Sequence, residues 1–161
     1  MIGNDIVDLA LAREESNCNR KGFLYKLFTI QEQKLIKSSV NQENIIWDLW
    51  SRKEAAYKIY NRQTGIRKYN PIQFQCFNVD LEIGKVVFEN QIFYTKTEIT
   101  LEYIYTIAVS EVENFDKIKA IEKTSIIQKE KGIPQYINEN KIIKPISKTH
   151  HGRFERIISI I

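Results

Sequence analysis

The chain has 161 residues, 43% apolar and 27% charged; these are ordinary globular proportions, which exclude a disordered chain and suit one compact domain. The 24 Lys+Arg against 20 Asp+Glu give a formal charge of +4, which fits a phosphate-bearing ligand, an acidic protein partner or a nucleic acid and so selects none of them. Two distant cysteines, Cys18 and Cys76, read as reduced thiols with no zinc-type spacing; no apolar run reaches about 18 residues and no signal peptide is visible, so no membrane span is expected and the expected location is the cytoplasm.

Taken in chain order, residues 1–5 predict a short edge strand ending in a polar turn at Asn4-Asp5. Residues 20–28 place Phe23, Leu24, Leu27 and Phe28 at helical spacing. Thr29-Ile30-Gln31-Glu32 is a capping-box pattern, in which the Thr hydroxyl and the Glu carboxylate satisfy each other's orphan amides, and it predicts a helix from 29 to about 37. A longer helix starts near Asn41, a favourable N-cap, and stops before Gly65. Apolar residues nearly encircle it, which predicts a buried central helix. From Pro71 onward alternation replaces helical spacing: Ile72, Phe74 and Cys76, then stretches at 86–88 and 103–109, with turns at Gly84 and Glu89-Asn90-Gln91. Residues 115–131 return to helical spacing through Ile118, Ile121 and Ile126 and close at Gly132. The tail predicts a hairpin, 133–137 and 142–149 about a turn at 138–140, and a last strand over 153–160. The expected class is α+β, helices packed on one face of an antiparallel sheet, in a single domain.

Three groups of residues invite chemistry. Trp50, Glu54 and Lys58 share one stripe of the central helix, beside Arg52 and Lys53. An exposed Glu-Lys pair would be an ordinary surface contact. On a buried helix, charges are costly unless paired or bound to a metal. Asp5 is either a turn aspartate or a partner for Glu54 at a Mg²⁺ ion, which takes oxygen ligands from one or two carboxylates plus waters and substrate phosphates. The run Pro145-Ile146-Ser147-Lys148-Thr149-His150-His151-Gly152-Arg153-Phe154 carries both histidines of the chain. It is either a hairpin turn with exposed histidines or a phosphate cradle of hydroxyls, His and Arg. Joint ligation of a metal by His150 and His151 is hindered, because neighbours on a strand face opposite ways.

These segments resemble a known family. Ile2-Gly3-Asn4-Asp5-Ile6-Val7-Asp8-Leu9 resembles the opening of 4′-phosphopantetheinyl transferases, especially the short holo-acyl-carrier-protein synthase type. Trp50-Ser51-Arg52-Lys53-Glu54-Ala55-Ala56-Tyr57-Lys58 resembles their long-helix motif. Gly132-Ile133-Pro134-Gln135-Tyr136 and Ile146-Ser147-Lys148-Thr149-His150 resemble their closing strands. The resemblance implies transfer of the phosphopantetheine arm of coenzyme A to a serine of an acyl or peptidyl carrier protein, whether of fatty-acid, polyketide or peptide synthesis. It implies Asp5 and Glu54 as Mg²⁺ ligands, with Glu54 also helping to deprotonate the serine. It implies Lys58 at the bridging phosphates and leaving group, and Thr149 and His150 at the 3′-phosphate of coenzyme A, with Lys53 a further phosphate contact.

The chain departs from the pattern at Val7, where larger surfactin-type members carry a third acid, so the ion would keep an extra water. It departs again at Lys148, in place of an apolar residue. Residues of about 75–131 exceed what the short type needs and are expected to be an inserted hairpin and helix. In the short type oligomer contacts complete the site, so a homo-oligomer stays open here. An acidic carrier would meet Arg13, Arg20, Lys21 and Lys26 of the early helix. Two other readings stand beside this one: a catalytically silent relative that binds carrier protein or coenzyme A, and a basic nucleic-acid binder, against which the basic residues are scattered and form no known binding motif.

Overall fold

The computed structural model describes residues 1–122, 127–130, 133–137 and 143–160. Within them the elements are β1 (Ile2–Asp8), α1 (Leu9–Glu15), α2 (Phe23–Leu27), α3 (Ile30–Ser38), α4 (Gln42–Thr64), β2 (Gln75–Asn78), β3 (Gly84–Phe88), β4 (Gln91–Ile99), β5 (Tyr103–Val109), β6 (Ile118–Ala120), β7 (Ile127–Glu130), β8 (Ile133–Ile137), β9 (Ile143–His151) and β10 (Phe154–Ile160). The strands form two five-stranded antiparallel sheets, ordered β1-β5-β4-β3-β2 and β6-β10-β9-β8-β7. The α+β class holds, with two sheets where one was expected. Among the described residues no helix is long and apolar enough to cross a membrane.

The helix signals act as the sequence implies. Thr29 and Glu32 close a reciprocal capping box at the start of α3. Asn41 caps α4 through its side chain, and Gly65 ends it in the left-handed conformation at φ 72°, which glycine adopts without a Cβ clash. α4 packs on the first sheet and buries Ile46, Leu49, Ala55, Ala56 and Ile59. Its first half joins a core with Val7, Leu9, Phe28, Ile36 and Ile104; its second half joins one with Phe74, Val86, Phe88, Phe93 and Ala108. The approach of α4 to β1 depends on Gly3, where an added Cβ would meet the Ala55 carbonyl oxygen at 2.0 Å. Any side chain there would push the helix, and Glu54 with it, away from Asp5.

Several expectations are corrected. β1 runs three residues past Asp5, and Asp8 caps an unforeseen helix α1 by accepting from the Ala10 amide at 3.1 Å. Pro71–Gln73 is a 3-10 turn, so the strand begins only at Gln75; Pro fixes φ at the turn and has no amide for a ladder. The helix expected over 115–131 is absent from the described residues there: a 3-10 segment, Val112–Lys117, leads into β6 and β7. The β-branched isoleucine Ile118 pairs with Ile160 of β10 instead, a case of tertiary pairing overriding spacing. Gly132 and the turn at 138–140 lie outside the described residues. Within the span of about 75–131 expected as an inserted hairpin and helix, β2 to β5 belong to the first sheet.

Candidate active site

β1 is the outer strand of the first sheet, and an outer strand leaves alternate amides and carbonyls unpaired. Side chains from two directions satisfy them. Ser147 Oγ accepts from the Asn4 amide at 2.9 Å, Thr149 Oγ1 from Ile6 at 3.2 Å, and His151 Nδ1 from Asp8 at 2.8 Å. The period-two spacing of a strand makes this ladder possible: 147, 149 and 151 on one face of β9 meet 4, 6 and 8 of β1. From α4, Arg62 donates to the Ile2 carbonyl at 3.3 Å and Lys58 to the Asn4 carbonyl at 2.7 Å.

Asp5 sits at the centre of this seam, 9% exposed. Its Oδ1 accepts from Lys58 Nζ at 3.2 Å and from Thr149 Oγ1 at 3.3 Å, while Ser51 Oγ donates to its backbone carbonyl at 3.3 Å. Burial raises the Asp5 pKa, and Lys58 with its neighbours pulls it back. Glu54 is pushed up to about 7, first by burial and then by the Asp5 charge, with Lys58 opposing. Tyr69, stacked on Tyr57 with centroids 4.5 Å apart, faces the Glu54 carboxyl without closing a well-formed hydrogen bond. Asp5, Glu54, His150 and His151 all line one cleft of about 290 Å³, whose apolar wall includes Phe23, Leu27, Trp47 and Trp50.

Two carboxyls on one cleft, Glu54 raised by burial and by the Asp5 charge and Asp5 bonded to Lys58, offer the oxygen donors that a hard cation takes. Among the described residues no group of three or more His, Cys, Asp or Glu could hold a metal. Two carboxylates with waters and substrate oxygens are a donor set that Mg²⁺ accepts. His150 is exposed, and His151 Nδ1 accepts from the Asp8 amide.

The structure thus brings together Asp5, Glu54, Lys58, Thr149 and His150, but Lys53 stands apart. It is 0% exposed, and its ammonium is fully engaged by Glu32 Oε2 at 2.8 Å, the Leu27 carbonyl at 3.1 Å and the Pro71 carbonyl at 2.9 Å. An ammonium has three protons, so none remains for a phosphate, and the expectation of a coenzyme A contact there is corrected. Lys148 pairs with Glu155 at 2.8 Å. Arg13 of the early helix pairs with Glu43; Arg20, Lys21 and Lys26 are exposed. Sequence reasoning missed Ser51 and Tyr69; Ser147 and His151 stood in the proposed cradle, but their bonds to β1 were not foreseen, although both are offset by two residues from Thr149.

Residues 1–109 match the family model of the 4′-phosphopantetheinyl transferase superfamily. The opening and long-helix motifs fall inside that match; Gly132 to Tyr136 and Ile146 to His150 fall beyond it. The fold is similar to the Helicobacter pylori holo-[acyl-carrier-protein] synthase solved in complex with coenzyme A, at 19% identity and TM-score 0.55, over 69% of this chain and 100% of that one. It is also similar to the Chronobacterium ammoiniagenes apo-ACPS structure, at 12% identity and TM-score 0.54, over 67% of this chain and 93% of that one. No curated protein matches the chain.

Proposed function

Because the chain belongs to the 4′-phosphopantetheinyl transferase superfamily, we propose that it moves the phosphopantetheine arm of coenzyme A onto a serine hydroxyl of an acyl or peptidyl carrier protein in a Mg²⁺-dependent reaction. The observation that carries this reading is the convergence of Asp5 from β1 and Glu54 from α4 on one cleft, each carboxyl perturbed by the other or by Lys58.

Asp5 and Glu54 would hold the ion, which when bound supplies charge neutralisation at the phosphate oxygens. The chain's own groups do the rest. With the ion bound Glu54 would stay ionised and would take the serine proton, directly or through a metal-bound water. Lys58 is fixed by Asp5 Oδ1 and the Asn4 carbonyl, beside the carboxyl that lines the cleft. From there its ammonium offsets the charge that develops as the serine oxygen attacks the β-phosphate and the adenosine bisphosphate leaves. Two unit charges about 4 Å apart interact by about 4 kcal/mol at an effective dielectric near 20, enough to matter in a transition state. His150, exposed at the cleft, meets the 3′-phosphate. Thr149, buried against β1, acts by orienting Asp5 rather than by touching that phosphate.

The test is a carrier protein in its apo form incubated with coenzyme A and Mg²⁺ and weighed by mass spectrometry. A gain of roughly 340 Da, the mass of the arm the cofactor donates, supports the reading. Binding of coenzyme A with no gain on any acyl or peptidyl carrier would instead favour a silent binding module.

A further inference from the structure

One hydroxyl beside the candidate site is buried and idle. Tyr69 Oη makes no hydrogen bond among the described residues. Burying a hydroxyl unpaired is costly, and native structures seldom keep one without a reason.

The place of the ring is fixed from three sides. Tyr69 stacks on Tyr57 with centroids 4.5 Å apart, and it meets Trp50 and Phe74 edge-on at 6.0 and 5.6 Å. Trp50 and Tyr57 stand four residues before and three after Glu54 on α4, so the three share one face of the helix. Tyr69 is the one residue of 65–70 that is not exposed. Its clamped ring brings the hydroxyl to the Glu54 carboxyl. Burial, and then the Glu54 charge, hold the phenol far above its ordinary pKa, so it keeps a proton to donate.

The two acids of the site are held unequally. Asp5 Oδ1 accepts from Lys58 and from Thr149. Among the described residues Glu54 has no comparable donor: Lys58 acts on it through charge, and the hydroxyl that faces it is that of Tyr69. A ligating carboxylate is usually itself hydrogen-bonded, and that partner sets its orientation. The terminal torsion of a glutamate is broad, so a small turn of the carboxylate closes the missing bond.

We propose that Tyr69 is the positioning residue of Glu54: with a divalent cation bound, its hydroxyl donates to one carboxylate oxygen and leaves the other turned toward the ion. This deepens the proposed function and rests on its reading of Glu54 as an ion ligand. The aromatic clamp from Trp50, Tyr57 and Phe74 gives Glu54 the fixed donor that Thr149 gives Asp5.

Tyr69→Phe removes the hydroxyl and keeps the ring, and Mg²⁺ titrated by calorimetry, with and without coenzyme A, reads the effect apart from catalysis. The Mg²⁺ dissociation constant should rise by about 10–100-fold, the usual effect of losing a partner of a metal ligand. In the absence of metal the urea midpoint should not fall, because the hydroxyl has no bond to lose there; with Mg²⁺ the variant should gain less stability than the unaltered protein. In the transfer assay the Mg²⁺ needed for half-maximal rate should rise, the deficit should shrink toward saturating Mg²⁺, and the KM for coenzyme A should hold. An unchanged Mg²⁺ dissociation constant would overturn the inference, whether it came with a lowered midpoint, which would make the hydroxyl structural, or with a raised coenzyme A KM, which would make it a substrate contact. Failure of the unaltered protein to bind Mg²⁺ in either condition would also overturn it. If Mg²⁺ binds and weakens as expected in Tyr69→Phe while no carrier is modified, the transferase reading fails and the role of Tyr69 stands.

Discussion

The Thr149 hydroxyl accepts from the Ile6 amide at 3.2 Å and donates to Asp5 Oδ1 at 3.3 Å, tying the backbone and the carboxylate of β1 to one side chain of β9. Thr149→Val keeps the shape and removes both bonds. A buried amide left unpaired costs about 1–3 kcal/mol, and loss of a group that orients a metal ligand typically weakens metal affinity by about 10–100-fold. The variant should unfold at lower denaturant and need more Mg²⁺ for half-maximal transfer, with kcat at saturating Mg²⁺ little changed; Thr149→Ser should restore both. A Mg²⁺ titration of transfer separates this from a role at coenzyme A, which would move the coenzyme A KM at saturating metal instead.

Glu54, with its pKa raised to about 7, makes stability fall as pH rises. Between its ordinary value of 4.5 and about 7 the folded chain holds a proton that the unfolded chain has released. The contribution is thus fully present below pH 4.5 and lost above 7, amounting to roughly 3 kcal/mol at most. Asp5 and Asp48, both raised mainly by burial, add slope of the same sign. Urea unfolding from pH 4.5 to 8 should show the decline, and Glu54→Gln should flatten part of it. Mg²⁺ favours the ionised pair, so it should stabilise the unaltered protein at pH 8 more than at pH 5 and leave Glu54→Gln nearly unmoved. A stability rising with pH through this window would refute the assigned burial.

The half of the candidate site that holds Asp5, Glu54 and Lys58 is legible in the sequence because its parts are local signals. A capped helix with a Glu54-Lys58 stripe announces itself, and Asp5 sits in a short, distinctive segment. The hidden half depends on contacts across long sequence separations. The alternation of Ser147, Thr149 and His151 marks a strand face, but that this face meets a strand over a hundred residues earlier is invisible to periodicity. The same blindness makes 115–131 read as a helix, since isoleucines three to five residues apart fit either element until Ile118 finds Ile160. Lys53 misleads for a related reason: a lysine beside a reactive glutamate looks functional, and its partner Glu32 lies on another helix.

Lys58 joins Asp5 and the Asn4 carbonyl, so removing it unsettles both the fold and the chemistry. Lys58→Gln retains a donor for the carbonyl and loses the charge. Its kcat should fall by about 10²–10³, the usual cost of a group that stabilises developing charge, and its unfolding midpoint should drop as the Asp5 pair is lost, with the fold retained. Transfer at an undiminished rate would remove Lys58 from the phosphates.

The buried pair of Lys53 and Glu32 makes the converse prediction, a large effect on stability and none specific to the substrate. Glu32 also receives the Thr29 amide at 2.8 Å and the Cys76 amide at 2.9 Å, so it fastens α3, α4 and β2 at one point. Lys53→Met leaves that carboxylate buried with no cation, and breaking such a pair from one side typically costs about 3–5 kcal/mol. Replacing both partners, as in Lys53→Met with Glu32→Gln, removes the stranded charge and keeps one of the two amide acceptors, so the double variant should recover part of the stability that Lys53→Met loses. Unfolding of the two singles and the double gives the coupling. Throughout the series the KM for coenzyme A should stay constant in the folded protein. A rise in KM without loss of stability would return Lys53 to the ligand.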